Sequence, residues 1–355
     1  DPGVLRVPAT ARAAHLAVRR ATLPAGTPLV VATRTDDEAH RLADDLAAWA
    51  GATHVRVLPE RGALPLERAL PEHDESAERL SVLAHLGGAE RGQVVVASLL
   101  ALVQRTIAPA RLAAARITVR LGERVARRDL LERLVSGGYE PVVEVTGVGE
   151  FAQRGGLVDA WPPGAAEPVR IELFGDEVES IRAFDAMTQG SRRRLTELTL
   201  LPGSEFEPTA VTDALAADGR PLTEMLREDL ARLEQGDLGE AAETWAALIT
   251  AGPAADHVPP GAHLVLTDLD ELAALARDLD GQAADRLAGL VGAGELPAGW
   301  PAPYDAAATL AAMTDRAGER LEEQAEAGAG YGSAPPLPGR ADRAGAWLGE
   351  LAASG

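Results

Sequence analysis

The 355-residue sequence has no cysteine, no lysine and no asparagine, so all 34 basic residues are arginine. Without cysteine there are no disulfides, no thiolate metal sites and no cysteine nucleophile. Without lysine there is no phosphate loop of the Gly-x4-Gly-Lys-Ser/Thr kind, no Schiff base and no lysine general base. Aromatic residues make up only 3%. No apolar run approaches the ~20 residues of a membrane-spanning helix. The first residues, Asp1-Pro2-Gly3, carry no charged-then-apolar leader, and a cytoplasmic protein is expected. What remains is ample for folding: hydrophobic residues reach 46%, and the length suits two or three compact units.

Catalytic signatures are equally sparse. The seven histidines are scattered. Only His54, His73 and His85 share a neighbourhood, and no pair has the spacing of metal ligands on a helix, so no metal is expected. There is no Gly-x-Ser-x-Gly elbow. The turn Val7-Pro8-Ala9-Thr10-Ala11-Arg12 stands where a nucleotide-binding α/β unit places its phosphate loop, but it lacks the glycines and the lysine. No cofactor is expected. The acids Asp268, Asp270 and Glu271 after Leu264-Val265-Leu266 imitate those of an ATPase, yet helix capping from Thr267 accounts for them.

Charge is uneven. Residues 1–117 carry +1, residues 118–203 carry −3 and residues 204–355 carry −18, within a net −20. Such a chain is a poor non-specific ligand for nucleic acid, and recognition by arginine belongs to its first two thirds. The acidic third reads as solvated helical surface.

Strand and helix signals alternate over 1–117. Strands are expected at Val4–Val7, Leu29–Ala32, Val55–Leu58 and Val94–Ala97, with helices at 9–22, from Thr35 to about Ala50, and at 74–86. Thr35-x-x-Glu38 is a capping box, and Ala39, Leu42, Leu46 and Trp49 share one face of the helix it opens. This alternation argues for a parallel, doubly wound sheet. Residues 118–203 differ. After a helix ending at Gly137-Gly138 come short alternating runs at 140–145, 156–161, 169–174 and 178–184, an antiparallel meander in a small inserted α+β domain. Residues 204–315 add a helix at Thr223–Glu234 and a strand at Leu264–Leu266 that could complete the first sheet. Residues 316–328 read as a charged helix, Gly328–Arg340 as a linker and 341–353 as the first helix of a following domain.

One stretch stands out chemically. In Val169-Arg170-Ile171-Glu172-Leu173-Phe174, Val169, Ile171 and Leu173 share the core face. Arg170, Glu172 and Phe174 share the other. Arginine and aromatic residues are typical interface anchors, and the chain has only four phenylalanines. Arg154 precedes Gly155-Gly156, where the backbone can turn to bring it alongside. The alternative is that Phe174 tucks under the Gly175-Asp176-Glu177 turn and the arginines are simply solvated.

A family resemblance rests on several of these segments. They are Leu58-Pro59-Glu60-Arg61-Gly62-Ala63-Leu64-Pro65-Leu66-Glu67-Arg68 with Pro71, Glu78–Leu83, and Val94–Ser98 with Val103-Gln104-Arg105. Further along come Arg154–Asp159, Arg170–Phe174 with Asp176–Val178, Phe184-Asp185 with Gln189 and Ser191, Leu200–Pro202 and Glu205-Phe206. In order and spacing they resemble the N-terminal region of bacterial transcription-repair coupling factors, the Mfd family, densely over 58–206 and thinly elsewhere. The resemblance implies a UvrB-like, helicase-like α/β unit with a degenerate phosphate loop, here 1–117 with 204–315. It also implies an inserted domain, 118–203, that docks the repair protein UvrA. The family's contacting arginines and phenylalanine fall on Arg154, Arg170 and Phe174; Glu172, on the same face, joins the expected contact set. RNA polymerase, DNA and an ATP-driven translocase belong to the longer family protein, so this chain is expected to be a non-catalytic adaptor. The rival readings are a UvrB-like ATP-dependent DNA-damage verifier, which needs the missing Gly-Lys loop, and a DNA-binding module, which needs a basic face.

Overall fold

A computed structural model describes residues 4–323, except for 52–53, 69–72, 88–92, 207–210, 213, 216–218, 234–238 and 249–251. Pro71, Glu234, the Gly328–Arg340 linker and the 341–353 helix lie outside the described residues.

Strand β1 (Val4–Arg6) leads through a short 3₁₀ turn into α1 (Arg12–Thr22). There follow β2 (Leu29–Thr33), α2 (Asp36–Ala50), β3 (Val55–Leu58), α3 (His73–Leu86), β4 (Val94–Ser98), α4 (Leu99–Val103) and α5 (Pro109–Ala115). The insertion holds β5 (Ile117–Arg120), α6 (Arg127–Ser136), β6 (Glu140–Pro141), β7 (Glu150–Arg154), β8 (Leu157–Ala160), β9 (Val169–Phe174), β10 (Glu177–Phe184), β11 (Ser191–Leu195) and β12 (Glu197–Leu200). The chain then returns through α7 (Glu224–Leu233), α8 (Ala242–Ala246), β13 (His263–Thr267), α9 (Leu269–Gly292), α10 (Ala306–Arg316) and β14 (Glu319–Glu322).

The first sheet has the order β1-β14-β13-β2-β4-β3, with every pairing parallel. Its central strands β2 and β4 are buried along their whole length, as strands covered on both faces must be. On one face, Leu16 of α1 and Leu46 of α2 pack on Val31, Val96 and Val265. On the other, Leu80 and Leu83 of α3, Leu272 of α9 and Leu310 of α10 pack on Val30, Val95 and Leu266. This is a doubly wound α/β layer structure. The Thr35 hydroxyl accepts from Glu38 N, so the cap forms; the Glu38 carboxylate reaches back one residue further than a capping box requires, to Arg34 N.

Four expectations need correction. Residues 319–322 form strand β14, between β1 and β13, where a charged helix was expected. The alternation there is buried Glu319 and Leu321 against half-buried Arg320 and Glu322. The Glu319 carboxylate is buried because His15 (2.6 Å), Arg19 (2.7 Å) and His263 (3.3 Å) surround it. Thr267 does not cap α9. Its buried hydroxyl donates to Ala32 O of the neighbouring strand, and Asp268, at φ 49°, holds the Ncap position with Arg12 on its carboxylate. Trp49 lies 57% exposed rather than on the buried face that Ala39 and Leu46 share. Finally, residues 204–300 do more than complete the sheet. Phe206, Leu226, Leu233, Trp245, Leu296 and Trp300 build a helical core of their own, into which the C-terminal half of α9 extends with Leu287 and Leu290.

The insertion is a meander, β11-β10-β9-β8-β7; the run expected at 140–145 pairs only over Glu140–Pro141, as β6 parallel to β7, and β7 itself was not expected. The β5–β12 ribbon and α6 cover its inner face, with Val119, Leu130, Leu134, Val158, Ile171 and Ile181 in one core. The connection back to the α/β unit passes Gly137-Gly138, where Gly203 N donates to Gly137 O at 2.8 Å. Gly138, at φ +83°, leaves a side chain no room: a Cβ there would stand 2.6 Å from Ser204.

The segment leaving the insertion is fixed by charge. Glu205, 2% exposed, accepts from Arg79 Nε at 2.9 Å and from Arg61 Nη1 at 3.2 Å. Arg61 also donates to Glu243 of α8 and to Arg105 O, and Arg79 donates to Pro59 O. Burial opposes the charge on Glu205, but Arg79 and Arg61 overcome it and hold the carboxyl below its ordinary value. Its stabilising contribution is therefore complete above the ordinary carboxylate range and is lost as pH falls through the lower, folded value. Glu205→Ala leaves Arg79 buried without its carboxylate. Denaturant titration at pH 7 should show a loss of about 3–5 kcal/mol, with a weaker dependence of stability on acid pH than in the parent.

Candidate functional site

The outer face of the meander is assembled by pairing register. Arg154 stands opposite Leu157, and Leu157 opposite Glu172. Directly paired residues project to the same side, so Arg154 and Glu172 share a face about 10 Å apart, two strand spacings. Arg170 and Phe174 flank Glu172 at two residues on either side, hence on the same face. All four expected contact residues are thus brought together.

Phe174 is 79% exposed. It ends β9, and Gly175, at φ +64°, takes the first position of a two-residue hairpin, where positive φ favours glycine. The hairpin does not fold over the ring. It is held from another segment instead: Val125 N donates to Asp176 O at 2.7 Å and Gly122 N to Val178 O at 2.9 Å. The alternative in which Phe174 tucks under its turn is excluded.

Arg170 is more constrained than expected. Its Nε and Nη2 fork onto Asp159, both bonds at 2.7 Å, and Nη2 also reaches Gln189 Oε1 at 3.0 Å. The guanidinium lies 4.6 Å from the centroid of the Phe184 ring. The hydrogen bond to Asp159 raises its pKa against the opposing cost of burial. Its side chain is 16% exposed. Arg154 is more open: 52% exposed, donating to Val143 O at 2.7 Å and lying 3.8 Å from Glu144. Glu172 accepts from Arg182 at 2.5 Å and from Ser180 at 3.0 Å. Two apolar side chains are exposed in adjoining loops: Val143, whose carbonyl takes Arg154, 86% exposed, and Met187, 93% exposed, two residues before the Gln189 that holds Arg170. Sequence reasoning named neither, nor the Asp159 and Arg182 partners. The Asp159–Arg170 pair was recoverable from the hairpin register; Val143 and Met187 carried no signal.

Residues 117–206 match the family model described as UvrB interaction domain. The insertion is similar to UvrB interaction domains. The match spans β5 to β12 and ends one residue past Glu205. The chain is also similar to proteins named transcription-repair-coupling factor. The one from Myxococcus xanthus is 36% identical over 59% of this chain, and the one from Escherichia coli is 31% identical over 64%. That from Bacillus subtilis is 27% identical over 76%. This chain covers 19%, 20% and 24% of those relatives, about a fifth of their length.

Elsewhere the expected catalytic look-alikes are engaged in packing. Asp268 takes Arg12 at 2.8 Å, and Glu271 takes Arg34 at 2.7 Å. His85 is 3.2 Å from Arg56. Among the described residues no three His, Asp or Glu side chains are placed to hold a metal ion, and no helix is long and apolar enough to cross a membrane.

Phe174 and Arg170 on this outer face should separate in stability measurements. Phe174→Ala removes an exposed ring and should change unfolding free energy by less than about 0.5 kcal/mol. Arg170→Ala strands the 6%-exposed Asp159 and should cost about 3 kcal/mol by denaturant titration.

Proposed function

We propose that this chain is a non-catalytic adaptor segment whose inserted domain docks UvrA on the outer face of its meander. In the longer protein it would recruit nucleotide-excision repair to stalled RNA polymerase, with ATP-driven movement on DNA supplied by other segments. The observation that carries this reading is Phe174, exposed on the face that holds Arg154, Arg170 and Glu172, within a domain similar to UvrB interaction domains. Aromatic and arginine side chains supply the few contacts that dominate most interfaces. Phe174 fills an apolar pocket on the partner. Arg154, held only by a carbonyl and a distant carboxylate, is the mobile cation that pairs with an acid there. Arg170 contributes differently: locked by Asp159 and Gln189, it presents its remaining edge and keeps Glu172 and Phe174 in register.

Titrating the chain against purified UvrA tests this. The parent should bind. Phe174→Ala and Arg154→Ala should each lose more than about 1–2 kcal/mol while keeping the parent's circular dichroism and melting temperature. Failure of the parent to bind, or unchanged binding by folded Phe174→Ala, would place the docking surface elsewhere.

A further inference from the structure

The register of the meander lines up like charges. Asp159 stands opposite Arg170, Arg170 opposite Arg182, and Arg182 opposite Arg194 on β11. One rung of the outer face therefore carries three arginines on three adjacent strands. Like charges directly opposite one another destabilise a sheet. Asp159 relieves Arg170 and Glu172 relieves Arg182. Nothing relieves Arg194: it is exposed, and among the described residues its side chain forms no ion pair. Charge on an edge strand guards against strand-on-strand association. Arg192 and Arg193 already provide that on β11, whereas a third arginine facing Arg182 adds only repulsion to the folded chain.

We propose that Arg194 is the outer end of the docking face and steers an acidic surface of the docked protein onto it. This rests on the docking reading above and adds the electrostatic character of the partner. The cost within the free chain is recovered when carboxylates of the partner lie along the Arg170–Arg182–Arg194 rung. A protein fits the face better than a nucleic acid backbone. Asp159, Glu172 and Asp185 are interleaved with the arginines, and the exposed Phe174, Val143 and Met187 need apolar contacts that phosphates do not offer. Arg194 lies outside the locked cluster around Arg170, so its effect falls on encounter rather than on residence.

The test uses the 355-residue chain and purified UvrA in stopped-flow association at low and high salt. Arg194→Glu should associate about 5–10-fold more slowly at about 50 mM salt, with dissociation unchanged, and the difference should vanish near 0.5 M salt. Its melting temperature should equal or exceed the parent's, because the substitution places opposite charges across from each other at Arg182. Arg194→Gln should give a smaller effect of the same sign. Arg128→Glu, the same charge change on α6 of the covered inner face, should associate like the parent. If the parent binds and Phe174→Ala weakens it, but Arg194→Glu associates at the parent's rate, the steering role is overturned and the docking reading stands. If the parent does not bind UvrA, both fall. If the chain instead binds duplex DNA at physiological salt in an Arg194-dependent way, the rung serves phosphates and the proposal is overturned.

Discussion

The fold depends on one buried carboxylate. Glu205 lies just beyond the last strand of the insertion, and two arginines from the α/β unit close on it: Arg61 after β3 and Arg79 on α3. Arg61 extends the same network to Glu243 and so to the helical core around Trp245. Sheet, insertion and helical cluster are thereby tied at a single point. Removing one member leaves charges buried without partners, so the cluster is kept whole or lost together. The chemistry suits a chain whose only cation is arginine. Arg61 takes Glu243 with Nε and Nη2 while its Nη1 serves both Glu205 and the Arg105 carbonyl, a spread of donors that the compact ammonium of lysine could not hold in one fixed geometry.

With its exit anchored, the insertion covers one face of its sheet fully and the other only around Ala152 and Phe184. The inner face supplies the stability through Ile171, Ile181, Leu130 and the β5–β12 ribbon. The outer face is not relaxed. Arg170 is forked onto Asp159 and stacked on Phe184, Glu172 is taken by Arg182, and the hairpin behind Phe174 is pinned by residues 122–125. Phe174 thus stands exposed beside a network of fixed polar contacts.

Much of this was legible in the sequence. The apolar runs of β2 and β4, the Thr35 cap and the alternation in Val169–Phe174 all depend on local patterning, and the structure repeats them. What escaped depends on contacts distant in sequence. Strand β14 looked like a charged helix because the partners that bury Glu319, Arg19 with His15 and His263, come from segments more than fifty residues away. The segment around Arg61, with Arg79 and Glu205, carries much of the family resemblance, and in the fold these side chains hold segments together. The partner that holds Arg170 sits on the adjacent strand, visible only once the register of β8 and β9 is known.

The most direct measurement is hydrogen–deuterium exchange of the whole chain with and without UvrA. Docking on the outer face predicts protection concentrated in 142–146 and 172–178, around Arg154 and Phe174, with the amides of β2 and β4 unchanged. Protection confined to the α/β unit, with none across the β9–β10 hairpin, would contradict it.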